Sequence, residues 1–315
     1  GDGASIVADN TGKNAPQTGG DIEPPKNWKP TPEAKAKATR FRWIAGVLWA
    51  VAIVGELVGI FWLLRQRVVT GGEGGALERN PDTGLREQPG TTVVFPQWAF
   101  ISLIVLLVVI AALSITGSML WKKANRLDPA RRSEPFRFFV QNQLGAIIAI
   151  VAFLPLVILI FLNKDMDKGQ KTTAGVIGIV LAAAAVLFGI DYSPASVEQY
   201  SADQSTVIQL LGQDEVVWVA GGQVYHVCEE VPAIQTGSDK ITGTTAEAVA
   251  AGKTRLTLEF ASEMRKCGLA VPDNSDEIVA ALREIRDGKD TVLPAPVWAN
   301  PSDAPIQIPD AAPAQ

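Results

Sequence analysis

The sequence predicts an all-α membrane domain of four transmembrane helices followed by a small α+β soluble domain. Three observations carry that prediction. Four apolar stretches, residues 44–64, 98–121, 144–162 and 173–190, contain between them one ionisable side chain, Glu56. About 20 apolar residues at a helical rise span the hydrocarbon core of a bilayer, where a helix can satisfy its own backbone polar groups. After these stretches, residues 191–290 mix short β-rich runs with helix-capping signals, and polar, proline-bearing segments stand at 1–43 and 291–315.

Residues 1–43 read as an arm too poor in large apolar groups to form a core, either disordered or bound to a partner. Trp28 is its one tryptophan ahead of Trp43, and Trp298 is its counterpart in the proline-rich tail 291–315. Both are anchors of the kind that a partner groove would hold.

In the first apolar run, Gly55 and Gly59 form a GxxxG pair, and in the fourth, Ala174, Gly178 and Ala182 make a stripe of small residues. Small residues at this spacing let backbones approach closely, either inside the bundle or against another membrane protein. Pro155 should bend the third helix, because it removes a backbone donor and crowds the preceding turn. Trp43, Trp62, Trp98 and Trp121 stand at the ends of the runs, where interfacial aromatics set depth.

Glu56 lies between the two glycines of the GxxxG pair. An ionisable group at mid-membrane depth is costly and turns toward protein or water. A proton relay would need further acids, histidines or bound water along a path, and the sequence supplies no other acid or histidine at similar depth, so a structural or partner-contacting carboxylate is favoured over a small transporter or channel centred on Glu56.

Lys and Arg near the helix ends set orientation. Lys26, Lys29, Lys35, Lys37, Arg40 and Arg42 precede the first run, and Lys122, Lys123, Arg126, Arg131, Arg132 and Arg137 lie between the second and third. Both segments are expected in the cytoplasm of a plasma membrane, and four crossings return the C-terminal domain to the same side. Against this, no Lys or Arg occurs between Ile190 and Lys240.

The soluble domain opens with EVVWVAGGQVYHVCEE, two β-rich runs about the turn Ala220-Gly221-Gly222, the pattern of a hairpin. Thr244 or Thr245 can cap a helix that Gly252 ends, KTRLTLEF then reads as a strand, and a last helix starts near Asn274. His226 and Cys228 share one face of a strand. With Cys267 they leave three alternatives: three ligands of an incomplete metal site, a Cys228–Cys267 disulfide, which suits a domain on the outer side rather than a reducing cytoplasm, or ordinary buried thiols. The first two would make the chain a membrane-anchored metal or redox sensor.

The composition holds one histidine, two cysteines and three methionines, none at mid-membrane depth, so the helices offer no ligands for haem or a metal cluster. A net charge of −5 argues against nucleic acid, and no glycine-rich phosphate loop or nucleophile elbow occurs, so a non-catalytic role is expected.

Two resemblances follow from these residues. The run YHVCEE followed by TTAEAVAAGKTRL is similar to the zinc module of the methyl-phosphotriester repair family (Ada-type), which implies His226, Cys228 and Cys267 as candidate ligands, although the CxxC expected after the glycine reads TLEF. The basic N-terminal arm, WIAGVLWAVAIVGELVGIFWLL, LWKKANRLDPARRSEP and the soluble tail domain together resemble an accessory membrane subunit of the actinobacterial cytochrome bcc–aa3 respiratory supercomplex. That resemblance implies a cofactor-free subunit contacting oxidase and reductase, with haem and copper held by those partners. Glu56, Gly55, Gly59, Gly178, Trp28 and Trp298 are the expected contacts.

Overall fold

The computed structural model describes residues 21–22, 28–70, 78–79, 81–82, 84, 86–87, 92–230 and 239–305. In chain order the elements are β1 (Asp21–Ile22), α1 (Pro32–Phe61), β2 (Val68–Thr70), β3 (Glu78–Arg79), β4 (Arg86–Glu87), β5 (Thr92–Val94), α2 (Gln97–Leu127), α3 (Pro135–Leu162), α4 (Lys168–Gly189), α5 (Val197–Leu211), β6 (Val216–Trp218), β7 (Val224–Tyr225), β8 (Ile241–Gly243), α6 (Thr245–Ala250), β9 (Arg255–Leu256), α7 (Phe260–Lys266), α8 (Ser275–Arg286) and β10 (Leu293–Pro294). The chain divides into two compact units.

One unit, residues 36–125 and 135–194, holds the helices that are long and apolar enough to cross a membrane. Each outlasts the apolar run that predicts it. The helix holding 44–64 starts twelve residues earlier, at Pro32, where the Thr31 hydroxyl accepts from the Ala34 N–H at 3.1 Å. Helix α3 likewise begins at Pro135, well ahead of Leu144, and proline at a first helical position has no donor to waste. Asp167 and Gln170 form a reciprocal capping box that starts α4.

The small residues are used inside this unit. A Cβ at Gly59 would come within 2.8 Å of Leu106 and 3.4 Å of Leu156, and one at Gly178 within 2.9 Å of Val157. At Gly189 it would run into the backbone of Gly145 and Ala146, so α4 crosses α3 backbone to backbone. That approach needs glycine on one side and a small residue on the other.

Both ends of the helix bundle are tied. At one, Asn163 Nδ2 donates to the Leu64 carbonyl at 3.1 Å, and the Phe95 N–H to the Asp165 carbonyl at 2.9 Å. At the other, Arg42 donates to Asn125, whose Nδ2 in turn donates to the Gln141 carbonyl, and the Arg42 guanidinium lies over Trp121.

The second unit, residues 1–35, 126–134 and 195–315, is assembled from three separate pieces of chain. Its small sheet runs β8, β6, β7, β9: β6 and β8 are antiparallel, β7 and β9 parallel, and a Val217–His226 bridge joins β6 to β7. The expected hairpin is thus present. Its turn is held by Lys253, whose buried Nζ donates to the carbonyls of Ala220, Gly221 and Gly222 at 3.2, 3.1 and 2.6 Å. Thr244 caps α6, and Gly252 follows it at a φ of 92° that favours glycine.

Three expectations need correction. Helix α5 stands where no element is predicted. KTRLTLEF is a strand only at Arg255–Leu256, because Phe260 already opens α7. The two tails are partly folded, since β1 pairs with β10 and Trp298 packs on the core around Tyr225, Leu256, Phe260 and Ile278.

Candidate functional site

The sequence-predicted residues fall into separate places. Glu56 is enclosed, with 3% of its surface exposed. The backbone N–H of Leu156 faces its carboxyl group, and its Oε1 has no hydrogen-bond partner. Leu156 follows Pro155, and a proline inside a helix disturbs the hydrogen bonds of the turn around it. Glu56 therefore faces the turn of α3 that contains Pro155. Gly55 and Gly59, one residue before and three after, bring α1 against Leu106, Ile110 and Leu156. The GxxxG face and the Gly178 stripe are occupied by helices of the same chain.

Trp28 is similarly taken. It is buried against Tyr200, edge to face at 4.8 Å, within a cluster that includes Ala195, Val197 and Val249. Its backbone N–H donates to the Ser201 hydroxyl at 3.3 Å. The tyrosine hydroxyl donates in turn to the Arg126 carbonyl at 2.7 Å, and Val197 N–H to that of Ala130. Arm, connecting segment and α5 thereby become one body, and Trp298, half-buried, packs against the core of the same unit.

His226, Cys228 and Cys267 do come together, but the sulfurs are bonded to one another. Two facing pairs build the cluster. His226 and Cys228 leave the end of β7 two residues apart. Glu263 and Cys267 stand four apart at the end of α7, on one helical face. His226 Nδ1 lies 2.6 Å from Glu263 Oε1, whose partner oxygen takes the Val227 N–H at 3.4 Å. The disulfide closes the other side, with Cα atoms 6.6 Å apart. This corrects the alternatives of buried thiols and of an incomplete metal site: with both sulfurs in a bond, no group of three or more His, Cys, Asp or Glu side chains among the described residues is arranged to hold a metal. Glu263 is the member that sequence reasoning missed. Its signal was the i, i+4 spacing from Cys267 in SEMRKC, concealed by reading the preceding segment as strand.

A second buried polar group had no sequence signal. Asp203, on α5, accepts from the Leu256 N–H at 3.2 Å, and Arg286, on α8, donates to the Leu256 carbonyl at 2.6 Å while pairing with Asp203 at 3.3 Å. Two side chains thus satisfy both backbone groups of Leu256 on the side of β9 away from β7, as a further strand would. Burial raises the Asp203 carboxyl above its ordinary range, outweighing the attraction of Arg286, and it pushes the Tyr225 hydroxyl upward as well. Burial also lowers the Lys253 ammonium.

These clusters have the character of construction. His226–Glu263, Asp203–Arg286 and Lys253 each bind backbone or each other and tie neighbouring elements. No protein-family model, no curated protein and no solved structure matches this chain.

Proposed function

We propose that this chain is a multi-pass membrane protein serving as a cofactor-free accessory subunit of a respiratory complex. In this proposal it packs beside a cytochrome oxidase and stabilises assembly with a menaquinol–cytochrome c reductase, while haem and copper reside in those partners. The observation that carries it is the distribution of polarity over the four apolar helices. Their outward faces are aliphatic, with Val47, Val51, Val54 and Val58 exposed on α1 and Val176, Ile179, Val180 and Leu187 on α4. The one ionisable group of the apolar runs, Glu56, is turned inward and engaged by α3. Such surfaces belong against lipid or neighbouring apolar helices. The respiratory assignment rests on the resemblance of the arm, first helix and second helix given above.

Orientation follows from the two basic segments, which put residues 126–134 and the C-terminal domain in the cytoplasm in this reading. The experiment is purification of the tagged chain in mild detergent, with mass spectrometry and a visible spectrum of the eluate. Oxidase and reductase subunits with haem bands are expected. A colourless eluate of this chain alone would overturn the proposal and bring transport at Glu56 forward.

A further inference from the structure

We infer that Cys228 and Cys267 form a reversible thiol–disulfide pair exposed to the cytosolic thiol pool, a redox switch at the junction of β7 and α7. The inference rests on the orientation given under Proposed function, and on nothing else in that proposal.

Three observations lead to it. The first is placement. The pair belongs to the same compact unit as Lys29, Lys35, Arg126, Arg131 and Arg132, the short basic segments retained on the cytoplasmic side. A disulfide in that compartment meets a reducing pool, and those that form there are as a rule transient, catalytic or redox-sensing.

The second is access. Both cysteines are half-buried rather than enclosed, and the residues after Cys267, Gly268, Leu269 and Ala270, are exposed. A small thiol can reach the bond from that side.

The third is redundancy. The same two elements are already joined by His226 Nδ1 to Glu263 at 2.6 Å and Val227 N–H to Glu263 at 3.4 Å. Phe260 and Met264 also anchor α7 in the core. Opening the bond therefore removes one of several ties at the end of α7, where the Cys267 and Leu269 N–H groups still donate to the carbonyls of Glu263 and Met264, and leaves the helix seated. A crosslink placed beyond a contact that already holds changes a local segment without unfolding the domain.

The chemistry balances with a low-molecular-weight thiol as co-reactant. Its thiolate attacks one protein sulfur, the S–S bond breaks, and the other cysteine leaves as thiolate and takes a proton. A second thiol resolves the mixed disulfide, yielding two cysteine thiols and one small-molecule disulfide. Oxidation by a disulfide-forming oxidant reverses the sequence.

The test uses the full chain in growing cells. Samples are quenched in acid, denatured and alkylated with a large maleimide that retards the band once per free thiol, before a diamide pulse, during it and after washout. Two tags, then none, then two again are expected, with Cys228→Ser and Cys267→Ser each carrying one tag before the pulse and after washout. A chain that is untagged at every stage, and whose bond survives dithiothreitol in native membranes, is permanently stapled. A chain with two tags at every stage has unpaired thiols. Either result overturns the inference. Protease access to a C-terminal epitope in spheroplasts separates the causes. An external epitope with a permanent bond shows the orientation to be wrong, an internal epitope with either result shows the switch to be wrong, and co-purification decides the accessory-subunit role independently.

Discussion

Replacing Arg286 by methionine isolates the energetics of the Asp203 pair. The change keeps an unbranched apolar stem of similar reach and removes the charge, leaving the Asp203 carboxylate buried without its partner and the Leu256 carbonyl without its donor. Breaking a buried pair from one side costs about 3–5 kcal/mol, much of it the isolated charge left behind. For a unit of this size a loss of about 4 kcal/mol lowers Tm by on the order of 10 °C. The assay is thermal unfolding of the full chain in detergent, followed by proteolytic susceptibility of the C-terminal domain.

The pH dependence has a definite sign. Burial raises the folded-state Asp203 carboxyl above its unfolded value, so the folded chain holds that proton more tightly. Stability from this group is present below the ordinary carboxylate range and is lost as pH rises through the folded value. In Arg286→Met the attraction that lowers the carboxyl is gone, so the deficit shrinks on acidification. The double variant Asp203→Leu/Arg286→Met removes both charges and is expected to recover the part of the loss that the isolated charge carries, while both backbone groups of Leu256 stay unpaired. A single loss below about 1 kcal/mol, or one that does not shrink on acidification, is incompatible with a partnered buried charge.

Three further outcomes are expected. Gly189→Leu should separate α3 from α4, where the backbones touch, and lower the thermal stability of the helical unit by more than about 2 kcal/mol, as overpacking of a closed contact does. Glu56→Gln keeps an acceptor for the Leu156 N–H and should leave both folding and co-purification unchanged, with no ion or proton flux in proteoliposomes of either form; flux present in the parent chain and lost in the Glu56→Gln variant would refute the structural role. Trp28→Ala should release the arm, costing about 3–5 kcal/mol for a large buried aromatic, read as new cleavage before Pro32 in limited proteolysis.

The apolar helices were legible because apolar length alone identifies them, whatever their periodicity. Their true ends were not, since Pro32–Trp43 and Pro135–Gln143 are polar enough to pass for loop while being helical. The hairpin, the Thr244 cap and the helix at Ser275 were read from local turn and cap chemistry, which acts within a few residues. Helix α5 escaped because its buried face carries Ser201, Asp203, Ser205 and Gln209 among its apolar groups. Its signals were the Ser196 cap and Gly212, which has a φ of 80°. Helix α7 escaped because TRLTLEF alternates like a strand, while the pairing of Phe260 and Met264 with the core depends on distant residues. Among the site residues, the proximity of His226, Cys228 and Cys267 was anticipated and the disulfide of the two cysteines was one of three alternatives, but Glu263 was not. The Asp203–Arg286 pair joins positions 83 apart and leaves no trace in spacing.

The seam at Trp28 also imposes an order on biosynthesis. The tryptophan and the serine that receives its backbone N–H are 173 positions apart, and all four apolar helices are made between them. At about 5–20 residues per second, the arm waits roughly 10–35 seconds after emerging before its acceptor exists. During that interval its indole has no native surface to pack on, so a chaperone or membrane-inserted neighbour has a timed opportunity to hold it. A chain truncated before α5 never buries it. The seam is thus a completion mark: only a polypeptide in which α5 has been made can bury Trp28.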